Sequence, residues 1–167
     1  MKVIDDTFNA ITFGFVKQLA RAQVKNVFAS DPPIRLNSII KSISPKITIK
    51  GEDLGEADGY SINLNLICYN SKHSEEKIRF TIAHEVGHIL LGHNSGNRII
   101  NFYSKDPNEQ LANVFAAELL SPLSLLKKES LFLTSLSKLA QKYWVSKDMM
   151  MWRLKDTKLD IKLGDWH

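Results

Sequence analysis

His84-Glu85-Val86-Gly87-His88 sets two imidazoles four residues apart with a carboxylate between them. On a helix, side chains four apart share a face, so both rings can close on one metal ion. Glu85, about 100° further round, leans toward a water that such an ion polarises. The chemistry this spacing supports is zinc-assisted hydrolysis, with Glu85 moving the proton. A zinc site that keeps a position open for water takes three protein ligands, so a third must come from elsewhere. His93 falls five residues after His88, where the extended H-E-x-x-H-x-x-G-x-x-H pattern needs six, and Gly92 is likewise one place off. Glu109 and Glu118 remain as candidates. They lie nine residues apart on one expected helix and face nearly opposite sides of it, so only one can point at the metal. The spacing alone does not choose between them.

The elements that must hold these residues are legible around them. Ser74 is a natural N-cap, Glu75 and Glu76 match the positive end of the helix dipole, and Gly92 offers a stop. Ile78, Phe80, Ile82, Ala83, Val86 and Ile89 make that helix apolar on most sides, which predicts burial and hence a need for partners for its polar groups. Asp106-Pro107 opens a second helix that runs to Pro122. Upstream, Phe8, Ile11, Phe15, Leu19 and Ala22 recur at helical intervals between Asp6 and Val27. A shorter helix with Ile34, Leu36, Ile39, Ile40 and Ile43 precedes Pro45. Ile47-Thr48-Ile49 and Tyr60 to Leu66 alternate as strands, with Ile67 to Tyr69 extending the second or forming a third. Two further helical segments, near Leu123 to Ser137 and Leu139 to Lys155, close the chain.

Composition limits the setting. The chain has 167 residues, 44% of them hydrophobic and 24% charged, which suits one domain over 1–167. Within it we expect a helical N-terminal segment (1–45), a sheet and zinc-binding core (46–122) and a helical C-terminal segment (123–167). Cys68 is the sole cysteine, so no internal disulfide forms and a reducing, cytoplasmic setting is expected. Asp5 and Asp6 interrupt any signal-like start, and no run is long enough for a membrane span. The net charge of +4 owes much to lysines in the last third, among them Lys127, Lys128, Lys138, Lys142, Lys155 and Lys158. Solvated surface lysines explain it as well as a nucleic-acid partner does.

The stretch Arg79 to Leu91 (RFTIAHEVGHILL), then Glu109, then Ala112 to Pro122 (ANVFAAELLSP), resembles the ImmA/IrrE family of bacterial and phage metallopeptidases. The likeness runs from about Tyr60 to Leu154, with Ser121 standing where a methionine is more usual. It implies a compact zincin-like α+β domain, in which the strand-like runs above would form a small, mostly antiparallel sheet. It also implies Glu109 as the third zinc ligand beside His84 and His88, and a structural or surface role for Glu118. A helix-turn-helix transcriptional repressor is the protein substrate that the resemblance implies. For the oxyanion, His93, Arg98 and Tyr103 lie in the loop between the two ligand helices. One alternative belongs to another class. Leu139 to Leu154 has the outline of a helix-turn-helix, which would make the chain a DNA-binding regulator. Trp144 at the turn, and Met149, Met150 and Trp152 on the second helix, favour a helical pair packed on the core instead.

Overall fold

In the computed structural model the described residues are 2–93, 99–129 and 135–159, with side chains from residue 12 onward. Seven helices and three strands follow in the order α1 (Lys2–Asn26), α2 (Leu36–Ile43), β1 (Thr48–Glu52), β2 (Gly59–Ile62), β3 (Leu66–Asn70), α3 (Glu75–Leu91), α4 (Pro107–Leu120), α5 (Leu123–Glu129), α6 (Leu136–Tyr143) and α7 (Lys147–Thr157). The class is α+β, as expected.

The sheet is small and mixed, in the order β1-β3-β2. β3 pairs with β2 antiparallel, Tyr60 opposite Cys68, and with β1 in parallel, Ile49 opposite Ile67. The alternating run from Tyr60 to Leu66 is not one strand. Asn63 and Leu64 take positive φ values of 49° and 59°, and the Asn65 N–H donates to the Ile62 carbonyl at 3.1 Å, which closes the turn inside the three-residue loop 63–65 between β2 and β3. Such turns match the twist of paired strands. The parallel partner is β1, which makes the small sheet mixed.

One face of the sheet lies against α3, α3 lies against α4, and α4 lies against α1. Ile67 and Cys68 of β3, Ala83 and Val86 of α3, and Phe115, Ala116 and Leu119 of α4 are closed off from solvent. Each large apolar side chain among them contributes about 1.5–3 kcal/mol on burial. Two glycines permit these close layers. A Cβ on Gly87 would stand 3.1 Å from the Phe115 ring and 3.3 Å from the Ala112 Cα, and one on Gly59 would meet Thr81 Cγ2 at 2.5 Å. On α1 the buried line is Val16, Ala20 and Val24, one position beyond the Phe15 and Leu19 of the sequence pattern, and Phe15 stays 59% exposed. The smaller side chains face α4, where helices approach closely. The stretch from Leu123 to Lys155 forms three helices, with residues 130–134 outside the described ones.

Candidate metal centre

The site is built where α3 meets the first turn of α4. Ser74 caps α3 by accepting the Lys77 N–H, and the helix ends at Gly92 in the left-handed region, with the His93 N–H returned to the His88 carbonyl at 2.9 Å. His88 therefore sits on a pinned last turn. Asp106 caps α4 and accepts the N–H groups of Asn108 at 2.9 Å and of Glu109 itself at 3.5 Å, so the cap anchors the backbone of the third donor. Gly87, between the two histidines, lets α4 come near enough for Glu109 to reach both rings.

His84 and His88 are each 1% exposed and Glu109 is 8% exposed. The two Nε2 atoms stand 3.0 Å apart, and the carboxylate oxygens lie 3.2 Å from His84 Nε2 and 3.4 Å from His88 Nε2. The imidazole of His84, then that of His88, holds the Glu109 carboxyl well below its ordinary value, so it is ionised at neutral pH.

The hydrogen-bond network fixes which nitrogen of His84 carries its proton. Asn113 Nδ2 donates to the Asn101 carbonyl at 2.9 Å, so Asn113 Oδ1 faces His84 Nδ1 at 3.0 Å and accepts its N–H. In the neutral ring, Nε2 then presents a lone pair toward His88 Nε2 and Glu109. A cation between them satisfies all three donors at once. Ligands about 2.0–2.1 Å from a tetrahedral ion stand about 3.3–3.4 Å apart, close to the spacings here. The residues fit a divalent metal. Among the described residues, His84, His88 and Glu109 form the group of His, Cys, Asp or Glu side chains close enough to hold an ion.

Glu85 is 2% exposed and its Oε2 finds no hydrogen-bond partner among the described residues. A buried carboxylate oxygen left in that state is costly unless something outside the protein meets it. It directly follows His84 on α3 and keeps an acceptor with no donor among the described residues.

The other sequence candidates separate. Glu118, nine residues after Glu109, faces away and is fully buried, ion-paired with Arg153 and accepting from Arg21 Nε at 2.8 Å and from the Leu123 N–H at 3.0 Å. Its role is structural, and it is not a surface charge. The His93 ring lies 5.5 Å from that of His88 with its Nδ1 unpartnered, Tyr103 is 72% exposed, and Arg98 lies outside the described residues. The sequence alone assigns Asn113 no role. Its position four residues after Glu109, on the same face of α4, is the signal that would have found it.

An H-E-x-x-H helix joined by a glutamate from the following helix, on a small α+β core, is the arrangement of the zincin-like class. Residues 44–155 match the family model described as the IrrE N-terminal-like domain, of the M78 peptidases. The chain belongs to this ImmA/IrrE family. No curated protein matches it significantly. A solved structure of a Mycobacterium tuberculosis transcriptional regulator superposes over 89% of this chain with a TM-score of 0.62 and 13% identity. At that identity the likeness is one of fold. The chain spans 49% of that structure's length. Among the described residues, no helix is long and apolar enough to cross a membrane.

Proposed function

We propose that the chain, acting as one peptidase unit over 1–167, is a zinc-dependent endopeptidase. In this reading His84, His88 and Glu109 hold Zn2+ and Glu85 is the general base. The observation that carries it is the convergence of three buried donor groups, with Glu85, the residue after His84, keeping an unpartnered buried Oε2. Zinc bound there would supply Lewis acidity to a water and to the scissile carbonyl.

Glu85 does the proton work. Its free oxygen accepts the proton of the attacking water, then returns it to the leaving amine, so the carboxylate ends as it began. The Asn113 amide keeps His84 in the Nδ1–H tautomer, with Nε2 facing inward. His93 is the described loop residue nearest the site with a free ring nitrogen, and we assign it first call on the developing oxyanion.

Glu85→Gln should retain zinc, measured by elemental analysis, and lose at least about a hundredfold in cleavage rate. Wild-type turnover in that variant removes Glu85 from the chemistry. For the substrate, the resemblance favours a helix-turn-helix transcriptional repressor in the cytoplasm, and the name of the structural neighbour agrees with a regulatory setting. Incubation with a purified helix-turn-helix repressor, with and without chelator, tests it.

The DNA-binding alternative draws less support. On the helix pair α6–α7, Tyr143, Met149, Met150 and Leu154 are buried, Arg153 is paired with Glu118, and Trp152 stacks on Phe102 at 5.6 Å. These contacts spend on the core the residues a reading helix would offer to a groove. Salt-dependent binding of random duplex would reverse the preference.

A further inference from the structure

Away from the metal centre, a cavity of about 570 Å³ opens between the N-terminus of α2 and the outer face of α3. Its walls are apolar, formed by Leu36, Tyr69, Ile78, Ile82 and Trp144, yet the buried polar group among them is the cationic side chain of Arg79. Arg79 is 9% exposed. It gives one hydrogen bond, from Nη2 to the Ile34 carbonyl, and its guanidinium lies 5.4 Å from the centroid of the Trp144 ring. Its Nε has no partner, and no carboxylate ion-pairs with it among the described residues. A desolvated cation held by one carbonyl and one aromatic face, with no counter-charge, would be stabilised by an anion brought to the cavity.

A second observation converges on the same cavity. α2 begins at Leu36 with Arg35 as its N-cap, which makes no side-chain capping bond, and no acid sits in its first turn. Ser38 and Ile39 return their N–H groups to the Arg35 carbonyl, which leaves the first two amides, of Leu36 and Asn37, unanswered at the positive end of the helix. Leu36 and Asn37 line the cavity. The exposed charges on its rim, Arg35 and Glu75, offset one another, so the buried Arg79 and the helix end set the sign of the cavity.

We propose that this cavity binds a carboxylate carried on an apolar peptide segment, with Arg79 and the open end of α2 as its anion-holding groups. Its use as a docking point for substrate rests on the peptidase reading. On α3, Ile78 precedes Glu85 by seven residues and lies on nearly the same line of the helix, about 10 Å along the axis. An extended chain covers that span in about three residues, so a peptide seated against Ile78 is long enough to reach Glu85.

Calorimetry with the full-length Glu85→Gln protein reads binding without turnover. The probes are three tetrapeptides of one apolar sequence: one capped at both ends with an internal glutamate, one with glutamine there and a free C-terminus, and one with glutamine and both ends capped. A carboxylate form should bind about tenfold more tightly than the fully neutral peptide, and which of the two does so tells a side-chain acid from a chain end. Arg79→Gln should abolish the difference. Because that residue is buried, Asn37→Asp serves as the fold-safe variant: an acid at an exposed first-turn position suits the α2 dipole yet fills the anion site, and it should erase the preference while the melting temperature holds. Equal affinity for all three peptides, no binding of any, or a preference that survives Asn37→Asp overturns the proposal. Cleavage by the wild-type protein is scored separately. A protein that cuts without the preference loses this site and keeps its peptidase reading, and an inert protein that retains the preference does the reverse.

Discussion

Asn113 shows how much a neutral amide beside the metal centre contributes. It touches no substrate in the proposed reading, yet its two hydrogen bonds decide which nitrogen of His84 faces inward. Asn113→Ala should weaken zinc binding about 10–100-fold, read by competition with a chromophoric chelator. Unaltered affinity would show that packing against Phe80, whose ring centroid lies 6.3 Å away, holds the His84 ring unaided. Glu109→Ala should go further and strip the zinc under the same competition, whereas a full complement of metal in that variant would remove Glu109 from the ligand set. The histidines and Glu85 were legible in the sequence because helical geometry converts their spacing into a shared face. The choice of Glu109 over Glu118 needed the resemblance, since an angle of nearly half a turn says that the two differ and not which one faces α3.

Among the elements, α3 and α4 are the pair whose spacing the site depends on. Gly87→Val would drive two methyl groups toward Phe115 and the Ala112 backbone, both within van der Waals contact of a single added carbon. The expected loss is about 1–3 kcal/mol in urea unfolding, with zinc affinity falling too because the Glu109 turn is pushed outward. Normal stability in this variant would mean that the helices can part without cost. Both helices were readable because their signals are local, namely the Ser74, Gly92 and Asp106 caps and the apolar runs between them. The hairpin was not, because Leu64 in a left-handed conformation breaks an alternating run where no glycine marks the turn. The parallel pairing of β1 with β3 was not either, since a ladder between segments separated by a whole strand has no local signature.

For the molecule as a whole, three helices are tied together by one cluster of charges. Glu118 on α4 pairs with Arg153 of α7 and Arg21 of α1, while Asp156 takes Arg153 Nη1 at 3.0 Å and Lys17 Nζ at 3.0 Å. Removing one member of a buried pair strands the other, so Glu118→Ala should cost about 3–5 kcal/mol. Burial pushes the Glu118 carboxyl upward, but Arg153, Arg21 and the Leu123 N–H outweigh it and hold it below the ordinary 4.5. A lowered value means that this carboxylate's contribution is complete above pH 4.5 and drains away as the pH falls below it, through the folded-state value. Wild-type melting temperatures should drop over that acid range more steeply than those of the double variant Glu118→Gln/Arg153→Met, and parallel curves would separate the pair from acid sensitivity.

The same carboxylate bears on where the protein can be cut. Glu118 shares α4 with Glu109, so one rigid rod carries a donor of the reaction centre near one end and the anchor for the tail helix near the other. A stop codon placed after α5, meant to yield a minimal peptidase, would leave the buried α4 acid without Arg153. Such a fragment should precipitate or unfold even though every residue of the reaction centre is still encoded.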